Sequence, residues 1–424
     1  MKSLFKKYGQ ISTTLMDQGI LSLVNFLVSI LIVRFLGIEA FGIYTLLWMS
    51  VLFLQSLQTA MIITPMMSIG PKQTDKDKSR YIGVIISHQL VFSTISSIFL
   101  YISIILSDYI IPQWYITDYA ISLSLVSFLS QNQDFIRRLL FLEGRSSEAL
   151  INDSVCYVGR FLMISIVCLG SDPTLKSIFN AILIALFLSV LLGMVKLNKP
   201  ILNFKNNIEV LKRHWKMSKW LSSSALLMWF SGNYFFVVTA LLLGPATVGI
   251  FRASSNIIGI FNILFLGLEN IIPQSASKYF VISGIAGLKS YVKKLVLIGG
   301  LAISCASVIL IIFAEPLIIA VYGEEYAGNG YILIWYSIIS ILIYLILPFN
   351  IGLRTLEKTQ PQFISYLVTV FFSLITANFL ISNFELNGAM FGMMINQLIM
   401  LFVAILFFER SCRQIVDGDK NIDS

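Results

Sequence analysis

The sequence predicts an all-α integral membrane protein of about twelve transmembrane helices in two six-helix bundles with a central cavity. Three observations carry this reading. Hydrophobic residues make up 57% of the 424 residues and charged residues only 12%, about half the charged share of a soluble domain. Apolar runs recur along the whole chain, each long enough to cross the hydrocarbon core of a bilayer as a helix. The two halves of the chain also repeat short motifs in the same order.

The runs fall at 14–36, 41–64, 82–107, 116–141, 149–169, 177–195, 220–243, 248–272, 294–314, 331–350, 361–381 and 387–408. Charged or Pro/Gly-rich punctuation separates them. Residues 1–12 are basic and polar, and the run that follows is too long for a signal-peptide core and has no clear small-residue cleavage site, so it is expected to remain as a span.

Orientation follows from Lys and Arg. With the N-terminus inside, 26 of the 30 basic residues fall on cytoplasmic segments. The outer ends hold Arg34, Lys176 and Arg252, and Arg160 lies within a span. The asymmetry predicts that both termini are cytoplasmic. The outer segments are short and acidic, carrying Asp108, Asp118, Asp172, Glu315, Glu324, Glu325 and Glu385, so function is expected between the helices.

The net charge of +8 does not indicate nucleic acid, because the basic residues sit between apolar runs rather than on one compact domain. Cys156, Cys168, Cys305 and Cys412 form no CxxC pair, and His88 and His214 lie far apart. No metal site, cofactor or Cys/His catalysis is expected.

The repeat supports two halves. Gly37, Gly42 and Tyr44 match Gly244, Gly249 and Phe251 at an offset of 207. Pro65 matches Pro273 at 208, and Leu142-Glu143 matches Leu356-Glu357 at 214. Equivalent spans run in the same direction, so the repeat is parallel, as in two-lobed alternating-access transporters. Each glycine allows a tight outer hairpin. The expected organisation is a first bundle at 1–195, a basic cytoplasmic linker at 196–219, a second bundle at 220–408 and a cytoplasmic tail at 409–424.

Polar residues inside spans mark the candidate site. Thr14, Gln18, Ser22, Asn25 and Ser29 form one helical stripe in span 1, which either faces an aqueous cavity or forms a packing seam. Arg160 sits near the middle of span 5, where a cation faces a bundle interior or a water-filled cavity. It either meets an anionic headgroup such as a pyrophosphate, for which its planar fork is suited, or pairs with Asp153 or Asp134. Arg34 and Arg252 flank the outer hairpins and are candidate headgroup contacts. Arg252 breaks the repeat, since Thr45 stands at the equivalent place. Trp229, Asn233 and Tyr234 in span 7 are candidates for stacking on and hydrogen-bonding sugars, with core packing as the alternative. Glu269 and Asp134 are candidate ion-coupling carboxylates, although Asp134 and Arg138 also have the spacing of a plain helical pair.

The hairpin Arg34-Phe-Leu-Gly…Phe-Gly-Ile-Tyr44, its echo at Leu243-Gly…Gly-Ile-Phe251 and the outer segment Val321-Tyr-Gly-Glu-Glu-Tyr326 resemble the polysaccharide repeat-unit flippases, the Wzx-type branch of the MOP exporter superfamily. The resemblance extends over length, span number and the paired halves. It implies translocation of an undecaprenyl-pyrophosphate-linked O-antigen or capsule unit from the cytoplasmic to the periplasmic leaflet, through a cationic cavity with Arg160 as its leading cation. Related lipid II flippases place arginines in the inner half of span 1, where this chain has Asp17 and Gln18; that departure argues against a peptidoglycan precursor. The expected partners are the lipid-linked oligosaccharide, the bilayer and other polysaccharide-assembly membrane proteins. The chain is read as a transporter and not an enzyme. The rival readings are a small-molecule or drug antiporter of the same superfamily and, less favoured because the outer loops are short, a polytopic glycosyltransferase or polymerase.

Overall fold

The computed structural model describes residues 2–73, 75–197 and 207–422, without the side chains of 2–18, 75–76, 260, 262–271, 274 and 416–422. Each expected apolar run falls on helical backbone except for Leu169, at the end of one run, and Phe313, near the end of another. Among the described residues, eight helices are long and apolar enough to cross a membrane. The chain divides into two compact units, Met1–Leu226 and Leu227–Ser424.

The first unit holds α1 (Lys2–Gln58), a π-helical turn (Thr59–Ile63), α2 (Thr64–Ile69), α3 (Asp75–Ser107), α4 (Ala120–Leu142), α5 (Ser146–Cys168), α6 (Leu175–Lys196) and the beginning of α7 (Asn207–Leu243). Gly37 divides α1 into arms at 2–36 and 38–58 by leaving helical space, with φ 82° and ψ 174°. A side chain with a Cβ is strained at such a φ. α6 opens on a reciprocal cap, in which the Thr174 hydroxyl accepts from the Ser177 amide at 3.2 Å and the Ser177 hydroxyl accepts from the Thr174 amide at 3.0 Å. α5 packs on α6 and α1, and α4 packs on α3 and α6.

The second unit holds the rest of α7, then α8 (Pro245–Ile312), α9 (Ala314–Tyr322), α10 (Gly330–Thr355) and α11 (Gln360–Ile422). α8 is interrupted at Ser283 and Gly284, and α11 at Glu385. The Tyr322 and Tyr326 rings are buried 5.4 Å apart, and Glu315 accepts the Gly330 amide at 2.7 Å. The Tyr-Gly-Glu-Glu-Tyr segment is therefore anchored to the second unit by its two buried tyrosines.

The repeat reappears in backbone and core. Gly244 adopts φ 91° and ψ 164°, the same conformation as Gly37. One hydrophobic cluster joins Ile62, Met66, Ile85 and Leu139; its counterpart joins Ile272, Ala276, Leu288 and Leu353. The third anchor is corrected by one residue. α4 ends with Gly144 N–H donating to Phe141 O and Arg145 N–H to Leu140 O; α10 ends with Glu357 N–H to Arg354 O and Lys358 N–H to Leu353 O. Gly144 (φ 74°) thus corresponds to Glu357 (φ 58°), and the left-handed helix end sets this register rather than the shared Leu-Glu letters.

The units carry polar groups inside and apolar groups outside. Ile95, Phe99, Ile102 and Leu106 form an exposed stripe on α3, as do Phe371, Ile375 and Phe379 on α11, while Gln58, Gln131, Ser127 and Ser373 are fully buried. Lipid in place of water explains this distribution, because apolar side chains lose nothing by facing it.

Candidate functional site: a buried arginine in the first unit

Arg160 lies midway along α5 and is 4% exposed. Its terminal Nη2 donates to Asn25 Oδ1, from the first arm of α1. The guanidinium carbon stands 5.6 Å from the Trp48 ring centre, on the second arm of α1, and 5.5 Å from that of Tyr157, one turn earlier on α5. The break at Gly37 gives α1 two arms, and each delivers one residue to the arginine. Such ring contacts stabilise a cation by roughly 0.5–2 kcal/mol each. Asn25 is exposed, whereas Ser29, one turn on, is buried and donates to Phe26 O at 2.6 Å. The stripe in span 1 therefore divides: Asn25 reaches the cation and Ser29 satisfies its own helix.

The acidic residues that stood as the alternative partners of Arg160 are engaged elsewhere. Asp153, 1% exposed, pairs with Arg137 Nε at 2.7 Å and accepts from Gln133 Nε2 at 2.6 Å. Asp134 pairs with Arg138 at 3.4 Å and Arg137 at 3.8 Å. Among the described residues, Arg160 makes no ion pair, and its Nε has no hydrogen-bond partner. Asp153 lies close by in sequence, but Arg137 reaches it from α4. The pairing of Arg160 with Asp153 or Asp134 is thus replaced by an aromatic and amide setting.

A second polar assembly was not singled out from sequence. Gln58 Nε2 donates to Gln89 Oε1 at 3.0 Å and to Gln131 O at 2.7 Å. Ser96 donates to Gln131 Oε1 at 3.0 Å, and Gln131 Nε2 donates to Ser127 at 3.0 Å. Asn132 donates to Ser93 at 3.1 Å. The chain ties α1, α3 and α4 together beside the π turn. Glutamines inside apolar runs were the available signal, since buried amides need partners.

Ser22 is half-buried and Arg34 exposed. The side chains of Gln18 and Glu269 lie outside the described residues. In the second unit, Trp229 meets Phe230 edge-on at 5.4 Å, and Asn233 donates to Trp229 O on its own helix at 2.9 Å. Tyr234 is half-buried. Arg252 is half-buried within electrostatic reach of Tyr336, whose buried hydroxyl has no hydrogen-bond partner. Ser231 and Thr369, 2.8 Å apart, join α7 to α11 as a packing contact.

The chain has the fold of MOP-superfamily transporters. A multidrug resistance MATE family transporter of that superfamily, in an inward-facing conformation, is similar over 94% of this chain and 95% of its own, at 16% identity and a TM-score of 0.75. An outward-facing structure of such a transporter is similar over 96% and 94%, at 15% identity and a TM-score of 0.63. A MOP superfamily transporter from Pyrococcus furiosus, described as having a binding pocket of reverse polarity that suggests a different function, is similar over 95% and 94%, at 15% identity and 0.63. At these identities the likeness is one of fold. The sequence matches no protein-family model and no curated protein.

Proposed function

We propose that this chain is a flippase. Its cargo is an undecaprenyl-pyrophosphate-linked oligosaccharide repeat unit of an O-antigen or capsule, moved from the cytoplasmic to the periplasmic leaflet by alternating access. The chain sits in the bacterial inner membrane as twelve spans in two bundles, with both termini cytoplasmic and no covalent chemistry. The observation that carries the reading is Arg160, a nearly buried cation framed by Asn25, Trp48 and Tyr157 with no ion-pair partner among the described residues. An anionic headgroup supplies the missing countercharge, and a guanidinium binds phosphate oxygens through two parallel N–H bonds. An exposed amide and aromatic faces suit sugar hydroxyls and ring faces.

The second reading is small-molecule antiport, favoured by neighbours described as multidrug resistance transporters. The Pyrococcus furiosus structure, described as suggesting a different function, supports the view that this fold serves more than one cargo. Deleting the gene separates the two readings. The flippase reading expects lipid-linked precursor to accumulate on the inner leaflet with unchanged drug sensitivity. Normal precursor distribution with new drug sensitivity would replace it by the antiporter reading.

A further inference from the structure

The inner ends of α3 and α7 meet at a polar notch that the transport reading does not use. The Tyr81 hydroxyl and His214 Nε2 lie 2.7 Å apart, both side chains buried. Ser218 donates to Met61 O at 3.1 Å. These contacts clamp the first turns of α7 onto the first unit. Beside the clamp opens a notch of about 190 Å³, lined by Gln73, Asp77, Arg80, Tyr81, Glu209 and Arg213.

The notch carries charges of both signs from both helices. Arg80 and Asp77 stand 4.0 Å apart on α3, each more than half exposed. Glu209 and Arg213 are four residues apart on α7, the order and spacing at which a helical pair forms readily. Among the described residues they form no ion pair with each other, and both line the notch. Two guanidinium groups and two carboxylates are thus presented to one occupant.

Depth follows from length. α7 has 37 residues, or about 55 Å at 1.5 Å per residue, against roughly 40–45 Å for a bilayer including its headgroups. With the basic end cytoplasmic, residues near 213 fall at the inner headgroup layer. Trp215 and Trp220, 56% and 70% exposed, suit that interface.

We infer that this notch binds the headgroup of a zwitterionic aminophospholipid of the cytoplasmic leaflet. The phosphate lies against Arg80 and Arg213, and the ammonium against Asp77 and Glu209. A purely anionic group would meet both carboxylates, and a purely cationic one both arginines; a headgroup carrying both charges satisfies all four. A primary ammonium brings three N–H donors for the carboxylates, which a trimethylammonium lacks.

The test is native mass spectrometry of the detergent-purified protein with equimolar phosphatidylethanolamine, phosphatidylcholine and phosphatidylglycerol of matched chains. The expected result is retention of phosphatidylethanolamine at least about fivefold over the other two. Asp77→Asn with Glu209→Gln loses the preference over phosphatidylcholine, and Arg80→Gln with Arg213→Gln loses retention of all three. These residues are exposed, so both variants keep the wild-type melting temperature. Equal or better retention of phosphatidylglycerol by the wild type, or a preference that survives Asp77→Asn with Glu209→Gln, would overturn the proposal. Displacement of the lipid by soluble phosphoethanolamine at equal concentration would place the ligand in the cytoplasm and overturn the lipid assignment. Lipid retention is read independently of transport.

Discussion

Replacing Arg160 by alanine separates a functional cation from a structural one. In most buried ion pairs, removing one charge strands the other and costs about 3–5 kcal/mol. Arg160 has no carboxylate partner among the described residues, and its hydrogen-bond acceptor, Asn25, is a neutral amide that is not itself buried. The expected stability loss is therefore one hydrogen bond to a charged group and two ring contacts, about 2.5 kcal/mol at the low end of each. The expected loss of headgroup affinity is that of a hydrogen bond to a charged group, about 1.5–3 kcal/mol, or roughly 10- to 150-fold. Arg160→Lys keeps the charge without the planar fork and rescues in part. The assay is surface polysaccharide and the leaflet position of its lipid-linked precursor, at matched levels of folded protein. Alanine is expected to abolish polymer and hold precursor on the inner leaflet. Wild-type polymer in both variants would refute the role of Arg160. Collapse of folded protein in Arg160→Ala would refute the reasoning about its surroundings.

Other substitutions test the structure. Arg137→Ala leaves Asp153 buried without its ion pair and is expected to lower stability by about 3–5 kcal/mol, read as thermal unfolding in detergent; an unchanged melting temperature would contradict the pairing. Glu385 holds φ 50° and ψ −132°, a conformation that favours glycine, so Glu385→Gly is expected to raise stability by about 1–2 kcal/mol. Glu357→Gly acts in the same direction by roughly 1 kcal/mol. A Cβ at Gly299 would lie 1.7 Å from the Tyr344 hydroxyl, which donates to Leu295 O at 2.9 Å. Gly299→Ala is therefore expected to cost about 1–3 kcal/mol by overpacking, and a neutral effect would refute the close approach of α8 and α10.

The helices were legible in sequence because a membrane core demands long apolar runs and glycines where the chain leaves helical space, as at Gly37 and Gly244. The repeat was legible at those glycines and one residue out of register near Gly144 and Glu357, where helix-end geometry matters and letter identity does not. The burial of Arg160 was legible because a cation in a span is conspicuous and turns to the bundle interior. Its partners were not, since Asn25 and Trp48 come from two arms of α1 that meet only after the chain leaves helical space at Gly37. Arg137 took Asp153 for the same reason: a contact between α4 and α5 overrode proximity along the chain. The glutamine ladder from Gln58 to Gln131 went unread because each amide looks unremarkable alone, and only packing of three helices makes them one assembly.

The decisive measurement is translocation by the purified protein in vesicles loaded on one leaflet with undecaprenyl-pyrophosphate-linked oligosaccharide, with exposure on the opposite leaflet read by an impermeant glycosidase or lectin. The flippase reading predicts exposure that depends on the protein and drops about 10- to 150-fold with Arg160→Ala. Exposure equal to that of protein-free vesicles, in protein shown to be folded and inserted, would contradict it.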